Sequence, residues 1–183
     1  MNIKSLTIYC SSSNNLDPIY YKTSKIITKV IADNNFSIVY GGGQVGIMGI
    51  IAKNAIELGV HITGIIPEFL NKKEIIFNKT NSLKVVKDMY ERKKLLFEHG
   101  DAFIALPGGT GTIEEITEVI SWKVLGLHDK PIVFFNMKNF WNPLFDQFTK
   151  INKYKFGNIN LQNIYESVDT IQQLDKIFKL WKK

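Results

Sequence analysis

The sequence predicts an α/β fold, a doubly wound Rossmann-like parallel sheet with helices on both faces. Three observations carry this expectation. Short apolar runs of strand length alternate with segments of helical period along nearly the whole chain. Side-chain-poor glycine turns follow two of the runs, at residues 41–46 and 107–112, and each leads directly into a helical segment. No internal repeat, low-complexity tract or linker interrupts the alternation, so residues 1–183 read as one domain.

In order, residues 3–9 alternate and are rich in β-formers, a first strand that runs into the polar loop 10–15. Asp17 is placed as an N-cap with Pro18 at the first helical position, and the helix extends to Asn34. Residues 36–40 form a second strand, followed by the Gly41–Gly46 turn and a helix over 47–58 that stops at Gly59. A third strand spans 60–66 and ends at Pro67. Residues 68–82 show no clean period and read as a long loop or a broken segment. A short strand at 83–86 and a helix at 88–99 lead to the central stretch. Beyond it come a strand at 131–135, a helix at 139–150, a strand at 163–168 and a last helix to Trp181 capped by Asp169.

The central stretch runs from Asp101 to Lys130. Residues 101–106 are an apolar strand halted by Pro107, and Gly108, Gly109 and Gly111 make the turn. From Thr112 the period becomes helical, with Ile113, Ile116, Val119, Ile120 and Val124 on one face. Strand, glycine turn and helix in this order aim backbone N–H groups of a helix N-terminus at the turn, which favours an anion such as phosphate. The helix opens with two acids, Glu114 and Glu115. Either they complement the helix dipole, or one stands beside a bound phosphate to act on what the phosphate carries. Neighbouring residues on a helix point about 100° apart, so both cannot face a ligand equally. Spacing alone leaves the choice open.

Composition narrows the classes. No apolar run reaches the ~18 residues of a membrane span, and the first residues lack a signal-peptide pattern. A single cysteine, Cys10, excludes a disulfide framework and points to a cytoplasmic location. The net charge of +6 is spread along the chain without a basic stripe. A small anionic ligand fits it better than nucleic acid.

Gly41-x-Gly43-x-x-Gly46 matches the dinucleotide fingerprint, but it follows the second strand, and the acid expected after the next strand is available only as Glu68, past Pro67. The PGGTGT loop lacks the Gly-Lys-Ser/Thr of a Walker loop. Two glycine loops at strand ends suggest instead one ligand held between them, one loop taking the phosphate and the other allowing close approach to the sugar.

These residues resemble a known family. PGGTGTIEE, residues 107–115, matches the PGGxGTxxE signature of the Lonely Guy (LOG) family of cytokinin nucleotide phosphoribohydrolases, many formerly labelled lysine decarboxylases. Arg92-Lys93 matches its RK element, and YGGGQVGIMGIIAKNA resembles its YGGGxxGLMGxxA element. SWKVLGLHDKP is similar to TWxQLGIHxKP, with Ser121 at the usual threonine. CSSSNNLDPIY is similar to CGSSxGxxPxY, with Ser11 at a glycine. The resemblance covers roughly the first 140 residues in collinear order.

It implies a homodimer that hydrolyses the N-glycosidic bond of an adenine-type or cytokinin nucleoside 5′-monophosphate, with no cofactor and no metal. By the same resemblance Arg92 and Glu115 are the catalytic pair. Glu74, Lys93, Gly108, Gly109, Thr110, Gly111, Thr112 and Ser121 contact substrate, and Gly42, Gly43 and Ser13 are placed with them. The alternatives are a general purine or pyrimidine nucleotide nucleosidase and a non-catalytic nucleotide-binding protein. A lysine decarboxylase would need pyridoxal phosphate with a Schiff-base lysine; Lys93 is the one lysine near the inferred site, and the sequence marks no acid partner for the pyridinium. A side chain at Gly109 is expected to fill the phosphate space and to oppose a positive φ. His61, His99, His128 and the three tryptophans read as structural, and Cys10 as a small buried side chain.

Overall fold

The protein is described by a computed structural model over residues 3–71, 80–157 and 160–182. Chain order is β1 (Ser5–Tyr9), α1 (Pro18–Asp33), β2 (Ser37–Tyr40), α2 (Gly46–Glu57), β3 (Ile62–Pro67), α3 (Glu68–Asn71) and β4 (Ser82–Val86). It continues with α4 (Met89–His99), β5 (Ala102–Ala105), α5 (Thr110–Val124), β6 (Ile132–Phe135), α6 (Asn142–Lys153), β7 (Glu166–Val168) and α7 (Ile171–Trp181). All pairings are parallel and give one seven-stranded sheet in the order β4-β3-β2-β1-β5-β6-β7. The Rossmann-like expectation is met.

Both faces are covered. On one, Ile27 and Ile31 of α1, Ile51 and Ala55 of α2, and Leu174 and Phe178 of α7 pack against Leu6, Ile8 and Ile104. On the other, Leu96 of α4, Ile116 and Ile120 of α5, and Phe148 of α6 pack against Tyr9, Phe103 and Phe134. Every residue of β5 and β6 is buried, as two-sided cover requires of central parallel strands. The chain winds outward from β1 to β4, then returns through α4 to β5 on the other flank of β1. The reversal opens a crevice beyond the carboxyl ends of β1 and β5, the place where such sheets bind ligands.

Local chemistry sets most helix ends. Asp17 Oδ1 accepts from Ile19 N at 3.0 Å, and Asp88 Oδ1 accepts from Glu91 N at 2.9 Å. Gly59 ends α2 at φ +70°. Three expectations change and one is refined. α5 starts at Thr110 with Gly109 as its N-cap, so Thr112 lies inside the helix and is buried while Ile113 is 38% exposed. Within the stretch read as a long loop or a broken segment, residues 68–71 form a short helix. α6 begins only at Asn142, because Lys138 and Asn139 sit at φ 53° and 59°, outside helical space. Thr170, not Asp169, caps α7, in a reciprocal box with Gln173.

Candidate active site

A cavity of about 410 Å³ fills the crevice. β1 contributes Tyr9 and the loop from Cys10 through Ser13, β2 contributes Gly41, and α5 contributes Gly109 through Thr112 with Glu114 and Glu115. Met89 and Arg92 enter from α4, and Leu70 from α3.

The two glycine loops behave differently. At α5 the N-cap Gly109 has no side chain to offer, and among the described residues no partner takes the amides of Thr110, Gly111 or Thr112. These are orphan donors at a helix N-terminus, open to the cavity. At α2 the corresponding groups are already spent. Gly46 N donates to Asn14 Oδ1 at 2.9 Å, and Ile47 N and Met48 N donate to Ser11 O at 3.0 and 3.4 Å. Gly46 is at φ +62°, and a Cβ there would run into the backbone of the Ser11–Ser13 loop. The fingerprint-like loop therefore binds its own protein, and of the two glycine loops only the one at α5 leaves its helix amides open to the cavity among the described residues. Gly42 and Gly43 are buried and do not line the cavity; Gly42, at φ +78°, packs against Ile66.

Arg92 and Glu115 come together although they lie in different helices. Arg92 Nη1 is 4.0 Å from Glu115 Oε1, and their side chains are 11% and 12% exposed. Arg92 Nη2 donates to Gly41 O at 3.4 Å, and among the described residues its buried Nε has no partner. Burial pushes the Glu115 carboxyl up to about 7; Arg92 and Lys93 oppose the rise, and Glu114 and Glu118 add to it. Glu114 is the exposed acid, at 52%. Packing thus separates the two carboxylates that spacing left equivalent: both line the cavity, but Glu115 is the less exposed and faces Arg92, while Glu114 pairs with Lys93.

Lys93 does not line the cavity. Its Nζ donates to Glu114 Oε1 at 2.5 Å and Glu118 Oε1 at 2.9 Å, tying α4 to α5. The bond to Glu114 raises its pKa, so it stays charged. A Schiff-base lysine must reach its carbonyl as the free amine, and Lys93 is held in the opposite state. Ser121 is exposed, donates to Thr117 O at 2.7 Å and is also outside the lining. Gly108 is likewise outside it; a Cβ there would overlap the Thr112 side chain. Ser13 lines the cavity, and Glu74 lies outside the described residues. Burial raises the Cys10 thiol well above its ordinary value, which leaves it neutral and unsuited to nucleophilic attack.

The segment 121–131 fixes the two helices rather than touching the cavity. Lys130 Nζ donates to Phe97 O at 2.6 Å, at the end of α4, and lies over the Phe97 ring. Lys123 Nζ donates to Lys130 O at 2.9 Å. His128 Nε2 bonds Val119 O at 2.9 Å while its Nδ1 accepts from Lys130 N, a set that fits only the Nε2–H tautomer.

Sequence reasoning did not single out Tyr9, Met89 or Leu70, and it named Gly41 only as the first glycine of the fingerprint-like loop. Met89 was legible in part, since it stands three residues before Arg92 and shares its helix face. Gly109 corrects an expectation. Its φ is −85° and a Cβ built there meets nothing within 4 Å. Gly109→Val should therefore fold, losing no more than about 1 kcal/mol from a poorer N-cap, while ligand affinity falls at least about tenfold because the methyl groups enter the anion's space. Thermal melting and titration with ribose 5-phosphate check the two halves separately.

Fold and site together define a doubly wound α/β protein with open helix amides and a buried carboxylate–guanidinium pair at its switch point. The chain belongs to the LOG family of cytokinin riboside 5′-monophosphate phosphoribohydrolases, and residues 48–177 match the family described as "Possible lysine decarboxylase". It is 37% identical over 174 residues to the cytokinin riboside 5′-monophosphate phosphoribohydrolase LOG1 of Arabidopsis thaliana, covering 94% of this chain and 81% of the relative. It is 35% identical over 179 residues to LOG5 of the same plant, with 98% and 78% covered. Among solved structures, the molybdenum cofactor carrier protein of Chlamydomonas reinhardtii aligns over 98% of both chains with a TM-score of 0.72 and 15% identity. The molybdenum cofactor binding protein of Rippkaea orientalis aligns over 98% of both with a TM-score of 0.72 and 16% identity. At such identities the likeness shows the fold alone.

Proposed function

We propose that this protein hydrolyses the N-glycosidic bond of cytokinin-type or adenine nucleoside 5′-monophosphates, releasing free base and ribose 5-phosphate. The observation that carries this reading is the buried Glu115 carboxylate beside Arg92, at the edge of the open α5 amides. Binding a nucleotide needs no carboxylate near its phosphate, where the charges repel. Breaking a glycosidic bond does, because positive charge develops on the sugar.

In the reaction the phosphate is held by the amides of Thr110, Gly111 and Thr112. Water attacks the anomeric carbon C1′, and the C1′–N bond breaks with its electron pair going to the base. Ionised Glu115 takes the proton of the attacking water and stabilises the cationic sugar. Arg92 stays protonated, so it balances charge, and the base receives its proton from solvent. A group titrating near 7 is suited to accept a proton at neutral pH.

The same proposal includes a homodimer and a cytoplasmic location. Exposed Ile113 on α5, Leu125 and Leu127 just beyond its end and Tyr90 on α4 support an interface. A single free cysteine supports the compartment, and among the described residues no helix is long and apolar enough to cross a membrane.

The test is chromatographic. Purified protein is incubated separately with AMP and with isopentenyladenosine 5′-monophosphate, and free base is measured. Release from the isopentenyl nucleotide supports the cytokinin reading, and release from AMP alone points to general nucleotide salvage. Binding without release of either base would make the protein a nucleotide binder.

A further inference from the structure

Gly41 combines two properties at one point of the cavity. Its carbonyl accepts from Arg92 Nη2 at 3.4 Å, and a Cβ on it would overlap the same guanidinium nitrogen, with Met48 Sδ the next atom at 3.1 Å. Its φ is not among the positive values, so the backbone does not demand glycine here. What demands it is the space above it. Among the described residues Arg92 is otherwise held weakly, by a long contact to Met89 Sδ at 3.7 Å, and its Nε has no partner there. Gly41 is buried and directly follows the last residue of β2, whereas the guanidinium sits at the end of a flexible stem.

We propose that Gly41 is a positioning residue for Arg92, seating the guanidinium 4.0 Å from Glu115 through its carbonyl and its missing side chain. This rests on Arg92 and Glu115 being the reactive pair. Displacing the guanidinium removes the nearest positive charge from Glu115, and that charge holds the carboxyl down against its burial. An opposite charge at this distance lowers a carboxyl by about one to three pH units.

The experiment compares wild type, Gly41→Ala, Arg92→Ala and the double variant. First, the Glu115 carboxyl is titrated by carbon NMR, which needs no turnover. In Gly41→Ala its midpoint should move upward by about one pH unit, and in the double variant it should equal that of Arg92→Ala. An unmoved midpoint in folded Gly41→Ala overturns the proposal. Second, in the base-release assay Gly41→Ala should lose kcat at least about tenfold with the acidic limb of its pH profile shifted upward, and should add nothing on the Arg92→Ala background. Additive losses would mean that Gly41 acts elsewhere. Should Gly41→Ala fold poorly, its melting temperature decides. Recovery to the Arg92→Ala value in the double variant identifies the guanidinium as the obstructed group. An equally damaged double variant assigns the clash to Met48 and removes the proposal. If wild type releases no base from any nucleotide, the reactive-pair reading fails by itself, while the carboxyl titration still decides whether Gly41 seats Arg92.

Discussion

Glu115→Gln should abolish turnover, by about a thousandfold or more in kcat, and should at the same time make the protein more stable above neutral pH. The first effect follows from removing the group that takes the proton and faces the sugar cation. The second follows from its burial. The carboxyl titrates at about 7 in the folded protein against 4.5 in the unfolded chain. Below pH 4.5 both states hold the proton and the folded state is at its full advantage. As pH rises from 4.5 to 7 the unfolded chain ionises first, and stability falls. Above 7 the whole cost of the buried charge is present, an upper bound of about 3 kcal/mol. Glutamine keeps the shape without the charge, so the variant should match wild type near pH 4 and exceed it near pH 8. Melting temperature against pH measures this, beside base release at saturating substrate. A variant that melts lower than wild type at pH 8 would mean that Glu115 is not a buried charge. A variant with unchanged kcat would remove it from the reaction.

Legibility followed sequence distance. Asp17, Pro18 and Gly59 act within one helical turn of themselves, and the ends they set were read correctly; Asp88, read as the first residue of α4, is its N-cap. The strand–helix alternation gave the parallel sheet, because side-chain period is local as well. α5 was misread by two residues because Gly109 caps it without a side chain, so the helix starts before any apolar period can announce it. The consumption of the α2 amides was invisible for a different reason. Ser11 and Asn14 lie more than 30 positions before Gly46, and only the fold brings their oxygens to its helix. The choice between Glu114 and Glu115 was of the same kind: Lys93 pulls the first outward from α4 and Arg92 faces the second. The motif resemblance favoured Glu115 without a physical reason, and the packing distinguishes the two acids by exposure and partner.

Arg92→Ala should lower kcat/KM by about 100-fold to 1,000-fold and should do so mainly through kcat. In the proposed reaction the open amides of α5 hold the phosphate separately, so much of the ground-state phosphate affinity should survive loss of the guanidinium. What is lost is the positive charge beside Glu115. The carboxyl then rises further above 7, the ionised fraction at neutral pH drops, and the acidic limb of the rate profile moves upward. Activity should therefore recover in part as pH is raised toward 9, a recovery that a misfolded variant would not show. Arg92→Lys should retain an intermediate rate, since an ammonium keeps the charge but cannot span both Gly41 O and the side of Glu115 as the planar guanidinium does. Ribose 5-phosphate titration separates the two roles. An affinity loss as large as the loss in kcat/KM would make Arg92 a phosphate ligand first, and the α5 amides would no longer suffice as the anion site.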